Sequence, residues 1–194
     1  MASIFECEVR YEIDNIKKFE SRLKKLGANL LYPYSFEDYY YRPVKEKWNP
    51  SEKILRIRKW RYPKKPAEIL FVKNEIISIN GIKFKRSLYP QGKVLLFNGE
   101  FNICETLLHD LGFIPWFVLN KKKANFWKIK KYNFKTVTEY IENLGWNGEL
   151  EFEGKNIQKA KTKIKKALEI LEIAPKLVSF EPISLIYARK NKLL

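Results

Sequence analysis

Charged residues that alternate with apolar ones along short segments are the chemically suggestive feature of this 194-residue chain. Glu6 and Glu8 stand two apart and are followed by Arg10, with Phe5, Cys7, Val9 and Tyr11 interleaved. Arg56 and Arg58 alternate with Leu55 and Ile57, Lys121 and Lys123 come later, and Glu149, Glu151 and Glu153 alternate with Leu150 and Phe152. A period of two places such residues on one face of a strand, so each segment reads as a strand with one apolar and one charged face. Close carboxylates repel one another, which favours uptake of a divalent cation with a taste for oxygen ligands. Guanidinium forks grip phosphate oxygens two at a time, and lysines add point charges. The acids stand at the two ends of the chain and the bases in the middle. Divalent cations on the acids and a polyphosphate on the bases would satisfy both sets at once.

The elements that must position these residues follow from periodicity. Ile4–Ile13 alternates as a strand; Asp14 can cap a helix carrying Ile16, Phe19, Leu23 and Leu26, stopped by Gly27. Strands are expected over 36–42, 53–59, 69–73, 82–88 after the Asn80–Gly81 turn, and 93–97. A helix follows over 100–112, then strands near 115–123, 125–131, 134–140 and 148–153. A long amphipathic helix runs from Ile157 to Leu171, and a last helix starts near Pro182. No Gly/Ser linker interrupts the chain, so residues 1–194 are expected as one domain. Apolar helix stripes need a partner, and the apolar strand faces supply it, leaving the charged face inside the curve of the sheet. An open sheet with one wet face is the plain alternative. Too many strands carry the pattern for that, whereas a closed barrel of about eight strands can hold a wet lumen. The expected fold is therefore α+β: a closed antiparallel eight-stranded β-barrel with helices packed on the outside.

Composition narrows the partners. Lysine and arginine number 38 against 22 acids, a net charge of +16. That field calls for an anion: nucleic acid, an anionic membrane surface or a small polyphosphate. No apolar run is long enough to span a membrane, and Met1–Arg10 lacks a signal-peptide layout, so a cytoplasmic protein that engages no membrane is expected. Cys7 and Cys104 are too few for a disulfide framework, and the single His109 excludes histidine-pair metal motifs. Neither a P-loop nor a dinucleotide-binding glycine pattern occurs. Aromatic content of 15 % suits single-stranded nucleic acid, but the paired acids would repel its backbone, so nucleic acid is not the expected partner. The run Lys161 to Lys166 reads as an exposed helix face, and Tyr39, Tyr40 and Tyr41 as sheet packing.

Glu6-Cys7-Glu8-Val9-Arg10 resembles the ExExK signature of the CYTH superfamily, the triphosphate tunnel metalloenzymes, with arginine in place of the lysine. Further matches come in the family's order. Asp38-Tyr39-Tyr40 is similar to its D-x-Y-Y/F strand, Leu55-Arg56-Ile57-Arg58 to its L-R-x-R strand, and Lys73 to its lysine before a turn. Lys121-Lys122-Lys123 with Phe126-Trp127 is like its K-x-R-x-x-Y/W element. Glu139, Leu144-Gly145 and Gly148-Glu149-Leu150-Glu151 resemble its late acidic cluster, and Ser179-Phe180 its Ser-Tyr pair. Lys123 replaces an arginine, Glu139 an aspartate, and Leu88 a glutamate, which leaves Arg86 or Lys85 as the carried-over cation. Glu149/Glu151 and Glu151/Glu153 both offer a last acidic pair; the spacing from Leu144-Gly145 favours the first.

The resemblance implies Mg2+ or Mn2+ held by Glu6, Glu8, Glu139, Glu149 and Glu151. It implies that Arg10, Arg56, Arg58, Lys73, Arg86, Lys121 and Lys123 bind phosphate, with Glu6, Glu8, Arg10, Glu149 and Glu151 as the catalytic set. The implied activity is metal-dependent hydrolysis of inorganic triphosphate, thiamine triphosphate or a nucleoside triphosphate. A class IV adenylate cyclase, converting ATP to cyclic AMP and pyrophosphate, would use the same residues and an adenine pocket that the sequence does not reveal. Monomer and homodimer both stay open.

Overall fold

The N-terminal alternation forms β1 (Phe5–Glu12) in a computed structural model that describes residues 5–46, 48–79, 82–87, 89, 92–154 and 157–194. Within those elements the side chains of residues 5–8, 76, 77, 79, 82–87, 153, 154 and 157 lie outside the description. Helix α1 (Ile16–Lys25) is capped by Asn15 rather than Asp14: the Asn15 side chain accepts from the Lys18 N–H at 3.0 Å. Gly27 then turns the chain at φ 71°, a conformation that favours glycine. There follow β2 (Ala28–Pro43), β3 (Lys53–Tyr62), β4 (Ala67–Ile79), β5 (Ile82–Ser87) and β6 (Val94–Gly99). Helix α2 (Phe101–Asp110) leads to β7 (Phe113–Ile129), β8 (Phe134–Ile141) and β9 (Gly145–Gly154). Helix α3 (Ile157–Ile170), the short β10 (Val178–Ser179) and α4 (Ile183–Lys190) complete the chain.

Several strands are longer than periodicity foretells, β4 among them, and two change the layout most. Segments 115–123 and 125–131 are one strand, β7, and β2 starts at Ala28 rather than at 36. These two strands pair from Ala28↔Ile129 to Pro43↔Phe113. Leu30, Leu31 and Tyr32 in succession are exposed, so no alternation marks that stretch of β2.

All strands join one antiparallel sheet in the order β10-β1-β5-β4-β3-β2-β7-β8-β9, with β6 on β4 and a further pairing of β1 with β9. The β1–β9 ladder runs from Phe5↔Gly154 to Glu12↔Asn147, whereas β1 meets β5 through the single pair Glu6↔Lys85. The α+β class, the large antiparallel sheet and the accompanying helices follow the expectation. Among the described residues the sheet has ten strands rather than eight, and the one-pair seam between β1 and β5 falls short of the closed eight-stranded barrel expected.

Helices α1, α2 and α3 cover the apolar strand faces. Phe19 and Leu23 of α1 and Ala160, Ile164 and Ala167 of α3 pack with Val9, Tyr11, Trp127, Ile129 and Leu150. Cys104 and Leu108 of α2 pack with Leu55, Ile57 and Ile69. Gly148 makes the first of these cores possible: a Cβ there would lie 2.1 Å from the Tyr11 ring.

Helix α4 corrects the expectation that every helix packs outside. Its Ile183, Tyr187 and Ala188 cluster with Tyr40, Ile54, Phe117, Leu119 and Ile141. Tyr40 and Ile54 alternate in step with Asp38 and Arg56, so α4 lies against one end of the charged face. There the inward residues turn apolar. Fully burying side chains such as Leu119 and Ile141 stabilises by about 1.5–3 kcal/mol each, which is the physical reason for a helix on that spot.

Candidate functional site

Pairing of β2 with β3 sets Asp38 opposite Arg58 and Tyr40 opposite Arg56. The Arg58 fork donates through Nε to Asp38 Oδ1 at 2.7 Å and through Nη2 to Oδ2 at 2.8 Å. Arg56 Nε lies 3.4 Å from Asp38 Oδ2, and its Nη1 donates to the Tyr40 hydroxyl at 3.4 Å. Asp38 is 1 % exposed. Burial pushes its carboxyl up, but the charges of Arg56 and Arg58, the Arg58 hydrogen bond and Lys121 outweigh that and hold it below the ordinary carboxylate range. One carboxylate thus orients two guanidinium groups and leaves a net positive charge for an anion.

Lys93 belongs to this group and escaped the sequence reading. Partial desolvation, then the charges of Arg58 and Arg56, lower its pKa against the opposing effect of Glu68 and Asp38. Because Lys93 as a whole is exposed, like-charge crowding is the more telling of these causes. Its only signal was its place ahead of β6, whose Val94 pairs with Phe71 of β4.

Arg10 anchors the other half. It is 5 % exposed, and Glu139 is 0 % exposed. Arg10 Nη1 lies 2.5 Å from Glu139 Oε1, and Nη2 lies 2.5 Å from Glu149 Oε2. Lys121 Nζ meets Glu139 Oε2 at 2.5 Å, and the Tyr34 hydroxyl donates to the same oxygen at 3.5 Å. Burial, then the Glu139 and Glu149 charges, raise the Tyr34 pKa, so that hydroxyl keeps its proton.

The β1–β9 register places the acids. Glu8 stands opposite Glu151, Glu6 opposite Glu153, and Arg10 opposite Glu149. The positions facing Glu6 and Glu8 are therefore Glu153 and Glu151, while Glu149 stands opposite Arg10. Glu151 is exposed, and the side chains of Glu6, Glu8 and Glu153 lie outside the described residues. Carboxylates at facing positions of adjoining strands are hard oxygen donors that suit Mg2+ or Mn2+. Glu139 differs, since both of its oxygens already meet cations and a metal there would have to displace them. Among the described residues no cluster of three His, Cys, Asp or Glu forms a metal cage.

Two expected cations fall elsewhere, and the side chain of a third, Arg86, lies outside the described residues. Strand β7 carries a bulge: Lys121 pairs with Ile141 and Lys123 with the adjacent Tyr140. The extra residue breaks the alternation, so Lys121 turns towards Glu139 while Lys123 is exposed and Lys122 pairs with Glu142. Lys73 pairs with Lys53 and alternates with Ile69 and Phe71, on the face away from Arg56. Arg86 stands opposite Glu75, whereas Lys85 stands opposite Glu6; the side chains of both lie outside the described residues. Among the described side chains, Arg10, Arg56, Arg58 and Lys121 are the expected cations that meet on the charged face.

Residues 5–177 match the CYTH domain, and the chain belongs to that family of metal-dependent enzymes. No curated protein matches the sequence. A conserved hypothetical protein from Pyrococcus furiosus is 22 % identical with a TM-score of 0.70, over 92 % of this chain and 97 % of that one. A putative adenylate cyclase from Vibrio parahaemolyticus is 12 % identical with a TM-score of 0.69, over 95 % and 98 %. A putative adenylyl cyclase from Hippeastrum, described as having a dominant triphosphatase activity, is 11 % identical with a TM-score of 0.66, over 98 % and 97 %. Identities this low establish a shared fold.

Proposed function

We propose that the protein is a divalent-metal-dependent triphosphate hydrolase whose site is the charged face, with β1, β5, β4, β3, β2, β7, β8 and β9 wrapped round it as a tunnel. The observation that supports this most is the meeting of the Asp38–Arg56–Arg58 and Arg10–Glu139–Lys121 groups on one face, drawn from strands far apart in sequence. Phosphoryl transfer is achieved chiefly by positioning and charge neutralisation. Arg58 and Arg56, pre-oriented by Asp38, grip phosphate oxygens at little further entropic cost. Lys121, Lys93 and Arg10 neutralise the rest of the phosphate chain. Glu6, Glu8, Glu149 and Glu151 would hold Mg2+ or Mn2+, which supplies charge neutralisation and an activated water. In this reading Lys85 takes the place first given to Arg86, and Lys73 and Lys123 bind no phosphate.

The candidate substrates are inorganic triphosphate, thiamine triphosphate and nucleoside triphosphates, and the site of action is the cytoplasm. Among the described residues no helix is long and apolar enough to cross a membrane. The test is product analysis with each substrate and Mg2+ or Mn2+. Orthophosphate release is expected; cyclic AMP with pyrophosphate would replace this reading by the cyclase, and no turnover with any substrate would overturn it.

A further inference from the structure

Helix α2 carries more apolar residues than the sheet can cover. Cys104 and Leu108 face the strands beneath it. Ile103, Leu107 and Leu111 stand four apart, so they fall in line along the helix, and they are 49 %, 37 % and 62 % exposed. One flank of α2 turns towards β2: Glu105 accepts from the Tyr41 hydroxyl at 3.4 Å, and the Phe101 ring lies 4.6 Å from that of Tyr39. At 100° per residue the exposed stripe lies on the other flank, towards β6. Strand β6 borders β4 on the edge away from β3, and among the described residues nothing pairs with its own outer edge. Its Leu96 and Phe97 are exposed, and Phe97 stands opposite Ile69, on the face that α2 packs against. A helix with so wide an apolar arc belongs in a buried setting, and an apolar patch beside it marks a contact surface.

Charge says what covers it. Val94 to Asn120 is the longest stretch of the chain without lysine or arginine, although these make 38 of its 194 residues. Two copies, each with a net charge of +16, would set ammonium groups against one another over much of their surface. This face lets them meet without that, and lysine is depleted from interfaces generally. The stripe is also complementary to itself. In antiparallel packing about a two-fold axis at Leu107, Leu107 meets its own counterpart, and Ile103 meets Leu111 twice over. The same arrangement lays Asp110 along the N-terminal end of the second copy's α2. No described side chain caps the free N–H groups there, and Lys59 lies over the Phe101 ring at 4.7 Å. A carboxylate is therefore set against the positive end of a helix on both sides of the axis.

We propose that a second copy of this chain docks on the face formed by Ile103, Leu107 and Leu111 of α2 with Leu96 and Phe97 of β6, giving a homodimer with antiparallel α2 helices. Apolar burial supplies the affinity, and the missing lysines and the two Asp110 contacts fix which faces meet. The inference is independent of the reading of the charged face, which lies on the other side of the sheet from α2.

Sedimentation equilibrium of the full chain tests it, at about 100 µM protein, where a micromolar dissociation constant gives mostly dimer. The wild type should sediment at twice the chain mass. Leu107→Lys sets two ammonium groups against each other at the axis and should weaken association about a hundredfold or more. Thr162→Lys, on the exposed face of α3, adds the same charge elsewhere and should leave the dimer intact. Both sites accept a lysine without disturbing a core, and circular dichroism checks the folding of each variant. Leu107→Cys should join two copies by a disulfide on mild oxidation, since this residue meets its own counterpart and Cys104 is buried. Added salt screens the repulsion between two strongly positive chains, so the dimer should tighten as ionic strength rises. A wild-type monomer at this concentration would overturn the proposal. So would a dimer that Leu107→Lys leaves unchanged and Leu107→Cys does not cross-link, or one that salt dissociates, because the contact would then lie on another face.

Discussion

Glu139→Gln is the perturbation that most directly weighs the ion pairs of the charged face. Glu139 is 0 % exposed and meets Arg10 at 2.5 Å and Lys121 at 2.5 Å. The glutamine keeps the shape and loses the charge. Arg10 retains Glu149, but Lys121 loses this carboxylate. Removing one partner of a buried pair costs about 3–5 kcal/mol, because a buried charge is left uncompensated. For a chain of this size about 2–4 °C of melting temperature goes with each kcal/mol, so the variant should melt roughly 6–20 °C lower. Glu142→Gln is the control: its partner Lys122 is 45 % exposed and Glu142 41 %, and solvent screens such a pair so that it adds little to stability. Urea and thermal unfolding followed by circular dichroism give both values. Triphosphate should restore more stability to Glu139→Gln than to the wild type, since Arg10 and Lys121 then seek another anion. A loss no larger than that of Glu142→Gln, with no extra rescue by triphosphate, would refute the assignment of Glu139 as the buried counter-ion.

Asp38, whose folded-state pKa is lowered, contributes stability that is full above its ordinary pKa of about 4 and lost as pH falls through the lowered value. Wild-type and Asp38→Asn stabilities, measured from pH 7 downwards, should converge in acid; parallel curves would count against the arginine clamp. Lys93 has a lowered pKa, so its charge costs stability at neutral pH and the cost is relieved as pH rises towards its ordinary value of about 10.5. Lys93→Met should therefore melt no lower than the wild type at pH 7 yet bind triphosphate about tenfold more weakly; a lower melting point with unchanged binding would make Lys93 structural. Gly148→Ala sets a Cβ 2.1 Å from the Tyr11 ring and should lower stability by about 1–3 kcal/mol in urea titrations; a neutral result would mean that Tyr11 moves aside freely. Glu149→Gln should lose activity that added metal partly restores, whereas Arg56→Ala should lose activity that added substrate restores. Identical responses of the two variants to metal and substrate would remove the distinction drawn between their roles.

Local periodicity was enough to determine which residues share a strand face. The alternations in β1, β3 and β9 are short-range properties of the backbone, and they disclosed the charged face, its acids and its guanidinium groups before any pairing was known. The helices α1, α2 and α3 were legible for the same reason, through apolar spacing and the glycines that end the first two. What periodicity could not supply was register. Arg10 and Glu139 are 129 positions apart, and only the β1–β9 and β8–β9 ladders bring them together. The same ladders set Glu151 and Glu153, rather than Glu149, across from Glu8 and Glu6. One inserted residue in β7 turned Lys123 away from the site, because a side-chain period of two is reversed by a single bulge. Lys93 sits at the edge of β6, and only the fold of the neighbouring strands brings the charges of Arg58 and Arg56 to bear on it. The seat of α4 depended on an apolar end to a face that is charged elsewhere, formed by Tyr40, Ile54, Phe117 and Ile141 from four strands. The sequence determined the faces, since they follow from the geometry of each strand alone; the tertiary structure decided which charges meet, since that depends on how one strand slides past another.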